Sequence, residues 1–138
     1  MTARPILLDT CAVIWLESGS ALRPQAEFEL QEAQTIGTPV LVSPISAWEI
    51  GMLASKGRLG LRLPPVVWFQ SILDLGVDLA PMSPETLIAS SSLPGPALRD
   101  PSDRIIAATA RAYDFRLMTR DTPLLAFAAA GYASAIPC

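Results

Sequence analysis

The sequence contains no histidine at all. This absence excludes a Ser-His-Asp triad, a histidine general base and an imidazole metal site, because each of these needs an imidazole ring. Any acid–base or metal chemistry in this chain therefore has to use its 13 aspartate and glutamate residues.

Cations, cysteines and long apolar runs are also scarce. A net charge of -3 with only 10 Lys and Arg argues against a broad basic surface, so any contact with nucleic acid must use a local patch. Cys11 and Cys138 lie far apart, and the start MTARPILLD lacks the pattern of a secretory signal. No apolar run approaches the roughly 18 residues that span a membrane. We expect a cytoplasmic protein without a membrane segment.

The chain does have a surplus of apolar residues. They make up 51% of its 138 residues, a length typical of one domain, so we expect a single domain over residues 1–138. Such a surplus in a small domain favours an exposed apolar patch, which usually marks a partner surface. The segment from Leu59 to Phe69 is a candidate for that contact, with the core as the alternative. We expect an oligomer or an obligate partner.

Strand-like and helix-like segments alternate along the chain, which predicts an α/β domain with a mainly parallel sheet. Seven helical segments separate or flank the strands, and several begin at proline or end at glycine. The five predicted strands lie in PILLD (5–9), PVLVS (39–43), VDLAPM (77–82), FRLMT (115–119) and YASAIP (132–137).

Acidic residues stand at the ends of strands or within the helices that follow. They are Asp9, Glu49, Asp100, Asp103 and Asp121. Open α/β sheets bind their ligands at the carboxyl ends of the strands, so these acids mark a candidate site. Aspartate is also a good helix N-cap, and capping is the alternative role for Asp9, Asp100 and Asp121. Because Pro101 follows Asp100 at the first helical position, capping is the better explanation for Asp100.

Glu49 and Asp103 lie on apolar helix faces. Burying an unpaired carboxylate is costly, so each needs a charge partner or a large pKa shift, and the ordinary explanation is a salt bridge to an arginine. If the acids meet at one sheet edge, a hard divalent ion would offset their repulsion, and ligands limited to oxygen favour magnesium or manganese. Such an ion can promote cleavage of a phosphodiester. The apolar neighbours at helical spacing are Ile45, Trp48, Met52 and Leu53 around Glu49, and Ile106, Ala107 and Ala110 around Asp103.

Four blocks of the sequence resemble the PIN-domain nucleases, and within them the VapC-type toxins. The blocks are LLDTCAVIWL (7–16), SPISAWEIGMLASKGRL (43–59), LRDPSDRIIAATA (98–110) and LMTRD (117–121). The resemblance assigns Asp9, Glu49, Asp103 and Asp121 as catalytic metal ligands, with Asp100 as an auxiliary acid. Many relatives carry histidine at the position of Leu98 and an aromatic residue at that of Ser102. These departures bear on substrate choice or rate rather than on the class of reaction.

The resemblance implies a three-layer α/β/α sandwich and a Mg²⁺-dependent endoribonuclease, with Mn²⁺ as a plausible substitute. It also implies a type II toxin that a VapB-type antitoxin silences, and a homodimer. The candidate RNA contacts are Arg99, Arg104 and Arg120, with solvated surface arginines as the alternative. One rival is a catalytically silent PIN-like binding module. Another is a phospho-receiver domain, which needs paired acids after its first strand and a late lysine, whereas the sole lysine, Lys56, lies mid-chain.

Overall fold

The structure, a computed structural model, describes residues 3–138. The first two residues of the predicted domain, and of the segment compared with a secretory signal, lie outside the described residues. Within that range the predicted five strands and seven helices are all present. The strands are β1 (Ile6–Leu8), β2 (Val40–Val42), β3 (Asp78–Leu79), β4 (Arg116–Thr119) and β5 (Ser134–Pro137). The helices are α1 (Thr10–Ser18), α2 (Pro24–Ile36), α3 (Pro44–Ser55), α4 (Pro65–Asp74), α5 (Pro84–Ala89), α6 (Pro101–Tyr113) and α7 (Thr122–Ala129).

Proline marks the start of most helices. Six of the seven helices between residues 3 and 138 carry it in their first two positions, where its missing N–H would have no helical partner anyway. In that same range no helix is both long and apolar enough to cross a membrane.

The five strands form one sheet in the order β3-β2-β1-β4-β5, and every neighbouring pair is parallel. Leu7 at the centre of β1 pairs with Leu41 on one side and Leu117 on the other. Strand β3 has only two residues because it lies at the sheet edge and Pro81 follows closely, without an N–H to extend the ladder. The prediction of a mainly parallel sheet is confirmed.

Helices cover both faces of the sheet. Successive side chains of a strand point to opposite faces, so Ile6 and Leu8 enter one core while Leu7 enters the other. Helices α1 to α4 supply the first core, and α6 and α7 supply most of the second. This arrangement is the predicted three-layer α/β/α sandwich.

The topology brings four chain segments to one edge. Strands β1, β2 and β4 are neighbours and parallel, so the residues after each strand lie at the same edge of the sheet. Helix α6 leads into β4 and runs back across the sheet, so its N-terminus lies at that edge too. Residues distant in sequence therefore meet there, namely the starts of α1, α3, α6 and α7.

A substitution of Phe127 on α7 tests the packing of the second core. Its side chain is fully buried, so Phe127→Ala should lower the free energy of unfolding by about 3 to 5 kcal/mol through the cavity it leaves. Phe28→Ala is the matched control, because Phe28 is 61% exposed and its loss should change stability by less than about 0.5 kcal/mol. Urea denaturation followed by circular dichroism gives both values, and equal losses would contradict this packing.

Candidate active site

Asp9 lies at the end of β1 and is the N-cap of α1, with only 3% of the residue exposed. One carboxylate oxygen accepts the Ala12 N–H at 2.7 Å, and the other accepts the Thr119 hydroxyl at 2.5 Å. Burial raises the pKa of Asp9 from its ordinary value, and these two hydrogen bonds oppose the rise. The predicted capping role is therefore present, and it places a buried carboxylate at the sheet edge.

Thr119 joins Asp9 to Asp121. Besides donating to Asp9, its hydroxyl accepts the Asp121 N–H at 3.0 Å. Asp121 in turn caps α7 by accepting the Leu124 N–H at 3.1 Å. Sequence reasoning did not single out Thr119, although a polar residue ending an apolar strand inside the LMTRD block was an available signal. The last residue of β4 therefore holds the Asp9 carboxylate and the backbone of Asp121 at once.

Glu49 is half-buried on α3 and is held by a hydroxyl rather than by a cation. Its Oε1 accepts the Thr10 hydroxyl at 2.5 Å. Burial raises the pKa of Glu49, the Thr10 bond lowers it, and the charges of Asp100 and Asp9 raise it. In residues 3–138 the salt bridges are Arg4–Asp114 and Arg116–Glu29, so the alternative that an arginine pairs with Glu49 is wrong. Trp48, expected on the same apolar face, is 56% exposed.

Asp103 lies in the first turn of α6. Its predicted apolar neighbours on the next two turns are buried, namely Ile106, Ala107 and Ala110. Burial raises the pKa of Asp103 to about 7, and the charges of Asp100, Asp121, Glu49 and Asp9 add to the rise. Asp100 itself is exposed and caps α6, because its carboxylate accepts the Ser102 N–H at 2.9 Å. The capping role expected for Asp100 is therefore present, and Asp103 lies in the same first turn.

Cys11 shows how closely the acids surround one point. Burial raises the pKa of its thiol to about 11, and the further causes are the negative charges of Asp9, Glu49, Asp103 and Asp121. The structure thus brings all four predicted acids into electrostatic range of a single side chain. Across the described range, however, no three acidic or thiol groups are close enough to enclose an ion with their side chains as they stand.

The donor set fits a hard divalent cation. All four acids offer oxygen, and the raised pKa values of Asp9, Glu49 and Asp103 reflect negative charge held in a partly desolvated place. Oxygen-only ligands suit Mg²⁺ or Mn²⁺. A bound cation would relieve the mutual repulsion that now raises these pKa values.

A cleft of about 300 Å³ opens beside three of the predicted acids. A larger cleft, of about 430 Å³, lies between the end of α1 and the segment joining α3 to α4, and Glu17 is the one acid that lines it. The smaller cleft is therefore the one that belongs to the acidic site. Its lining residues are Ala97, Leu98, Arg99, Asp100, Asp103, Asp121 and Pro123.

The three arginines expected to contact RNA stand in different situations. Arg99 is exposed and lines the acidic cleft, and half-buried Arg104 lines a smaller cleft next to it. Arg120 is already engaged, because its guanidinium lies 3.5 Å from the Trp15 ring centroid and donates to the Cys138 carbonyl at 2.9 Å. Its charge also lowers the pKa of Asp9.

Both residues that depart from the expected blocks are buried. Leu98 is 6% exposed and belongs to the second core, and Ser102 is 2% exposed in the first turn of α6. Leu98 also lines the acidic cleft, so the histidine expected at this position is replaced by an apolar wall.

The fold and the site together define a class: small α/β domains with one parallel sheet and an acidic cleft at its carboxyl edge. The PIN domain family matches residues 6–130. The chain belongs to the PIN domain family, as its four sequence blocks indicated.

Known proteins resemble the chain over nearly all of its length. It is 32% identical over 122 residues to Ribonuclease VapC22 of Mycobacterium tuberculosis, an overlap that covers 86% of this chain and 88% of that protein. Its fold is similar to VapBC2 from Rickettsia felis bound to a promoter DNA fragment, with a TM-score of 0.66, 16% identity, and 96% and 98% of the two chains covered. A toxin-antitoxin complex from Klebsiella pneumoniae gives a TM-score of 0.60 at 22% identity, covering 95% of each chain. FitAB bound to a DNA fragment gives 0.60 at 25% identity, covering 96% and 94%.

Asp103 should destabilise the metal-free chain near neutral pH. Its pKa is about 7 when folded, against about 3.9 for an unfolded aspartate, so the folded state holds this proton more tightly. The contribution of Asp103 to the free energy of unfolding therefore falls as pH rises from about 4 to about 7. In EDTA at pH 8, Asp103→Asn should be more stable than the wild type by about 1 kcal/mol, a value kept small by solvent screening.

Thermal unfolding at several pH values measures this difference. The difference in stability between Asp103→Asn and the wild type should become smaller at pH 5, because Asp103 of the folded wild type is already protonated there. Glu32→Gln, at an exposed position of α2 outside the site, is the control and should show no such gap. A gap that stays constant from pH 5 to pH 8 would rule out the assigned electrostatics.

Proposed function

We propose that the protein is a Mg²⁺-dependent endoribonuclease and the toxin of a type II toxin-antitoxin pair, with the whole chain as one catalytic domain. The observation that carries the proposal is the meeting of four acids around Cys11 at the carboxyl edge of a PIN-domain sheet. Similarity to a VapC ribonuclease over 86% of the chain supports RNA as the substrate.

In this proposal Asp9, Glu49, Asp103 and Asp121 hold a divalent cation, Mg²⁺ or in its place Mn²⁺. When bound, such an ion polarises the phosphodiester, lowers the pKa of a water molecule and stabilises the leaving oxygen. Thr119 holds the Asp9 carboxylate through its hydroxyl and accepts the Asp121 N–H, which links the two chain segments that carry these acids.

The substrate would lie in the cleft beside Asp103 and Asp121. Arg99 is exposed on its wall and can contact a phosphate there, and Arg104 in the adjoining cleft can contact a neighbouring phosphate. Arg120 is tethered by Trp15 and Cys138, so as an RNA contact it would act mainly through its charge. Asp100, at the exposed rim, is the auxiliary acid.

RNA cleavage by the purified chain tests the proposal. Cutting should require Mg²⁺ or Mn²⁺ and stop in EDTA. Asp9→Asn and Asp103→Asn should each lower the rate by at least about 100-fold, the upper end of what loss of an outer-shell group costs. Glu32→Gln should leave the rate unchanged.

Three outcomes would overturn this proposal. Cutting that persists in EDTA, or full activity in both aspartate variants, would exclude the metal site. Binding of RNA without cleavage in the presence of Mg²⁺ would instead favour the catalytically silent PIN-like module.

The exposed apolar surface supports the proposed protein partners. In the segment from Leu59 to Phe69, Trp68 belongs to the first core, whereas Leu63, Val66 and Val67 are 44%, 77% and 47% exposed. Apolar side chains exposed together commonly mark a partner surface. One of the similar folds, from Klebsiella pneumoniae, is described as a toxin-antitoxin complex, and another is VapBC2 from Rickettsia felis. A VapB-type antitoxin and a second copy of this chain are the proposed partners.

Sedimentation velocity of the chain alone tests self-association. The wild type should sediment as a dimer or aggregate, and Val66→Lys with Val67→Lys should shift it toward monomer if this segment is the contact. Ile36→Lys on α2, where Ile36 is 51% exposed, is the matched control. A monodisperse wild-type monomer would count against the homodimer.

A further inference from the structure

Two buried hydroxyl groups lead from α3 through α1 to Glu49. The Ser46 and Thr10 oxygens are 2.8 Å apart, and Thr10 Oγ1 lies 2.5 Å from Glu49 Oε1. A hydroxyl has one proton to donate, and an ionised carboxylate can only accept. Thr10 therefore donates to Glu49, and Ser46 donates to Thr10.

Because both hydroxyls are buried, the order of donors and acceptors affects the stability of the site. Ser46 is fully buried and Thr10 is 5% exposed, so little water can replace a lost partner. A buried hydroxyl without a partner costs free energy, which favours the conformation in which the chain of bonds reaches the carboxylate. Both hydroxyls are satisfied here, whereas the Thr38 hydroxyl is the one buried side-chain oxygen without a partner in the part of the chain described.

The chain of bonds also links two helices to the site. Ser46 and Glu49 are three residues apart on α3 and share one face, while Thr10 is the first residue of α1 and follows Asp9 directly. Hydrogen bonding thus sets the distance between Glu49 and the turn that carries Asp9. The Thr10 hydroxyl occupies Oε1 of Glu49, and Oε2 accepts no hydrogen bond from residues 3–138.

We propose that Thr10 and Ser46 are positioning residues, which hold one oxygen of Glu49 and leave the other free for a divalent cation. The inference rests on the proposed function, because it assumes that a cation binds at this acidic edge. It gives a role to Thr10 and Ser46, two uncharged side chains whose presence the four acids alone do not explain.

Mn²⁺ binding by isothermal titration calorimetry, without RNA, tests the pair directly. Thr10→Val keeps the branched shape and removes the hydroxyl, so Mn²⁺ affinity should fall about 10-fold or more, as for other outer-shell groups. Thr10→Ser keeps the hydroxyl and should bind close to the wild type. Ser46→Ala should weaken binding by a smaller factor, and adding it to Thr10→Val should cause little further loss, because the two hydroxyls act in series.

Thr109→Val is the matched control for the loss of a buried threonine hydroxyl. Thr109 is fully buried on α6 and donates to the Ile105 carbonyl at 2.8 Å, outside this chain of bonds. It should lose thermal stability while keeping wild-type Mn²⁺ affinity.

The outcomes separate this inference from the proposed function. A wild type that binds no Mn²⁺ contradicts the metal site itself. A wild type that binds, with Thr10→Val and Ser46→Ala binding equally well, overturns only the positioning role. Equal losses in Thr10→Ser and Thr10→Val would show that keeping the hydroxyl does not preserve Mn²⁺ binding, and would overturn it as well. If Thr10→Val fails to fold, unchanged affinity in Ser46→Ala is sufficient to overturn it.

Discussion

Repulsion between carboxylates is the constraint on which the rest of this structure depends. Asp9, Glu49 and Asp103 all have raised pKa values because each is partly desolvated and faces the others. A chain without histidine and with few cations cannot neutralise such a cluster with its own side chains. The structure instead uses hydroxyls, backbone N–H groups and helix N-termini, which stabilise negative charge without cancelling it.

This solution combines folding and function in the same atoms. The N-caps of α1 and α7 are also two of the four proposed ligands, Asp9 and Asp121, and Thr119 ties them together. Each cap satisfies helix N–H groups that would otherwise lack a partner. A charge cluster that destabilises the domain is therefore built from residues that also begin its helices, so the alternatives of cap and ligand do not exclude one another.

The fold could be predicted almost completely, and the site only in part. Prolines at helix starts, glycines at helix ends and short apolar runs located every element. The length of β3 was overestimated, because an edge strand depends on a partner that the sequence does not display. The candidate acids could be listed from their places after strands. The contacts of Thr10 with Ser46 and with Glu49 could not, because they join residues 36 and 39 positions apart that no helical or strand period relates.

By itself the sequence determined which chemistry is open to this protein: oxygen ligands, no imidazole, and acids placed at helix starts. Local patterns suffice for that, because caps, turns and apolar periods are set by neighbouring residues. Only the tertiary structure decided what each acid faces. Within residues 3–138 it left Glu49 without an arginine salt bridge, tethered Arg120 to Trp15 and left Arg99 on the cleft wall. These outcomes depend on parallel strands aligning four distant segments at one edge, and that alignment comes from packing both faces of the sheet.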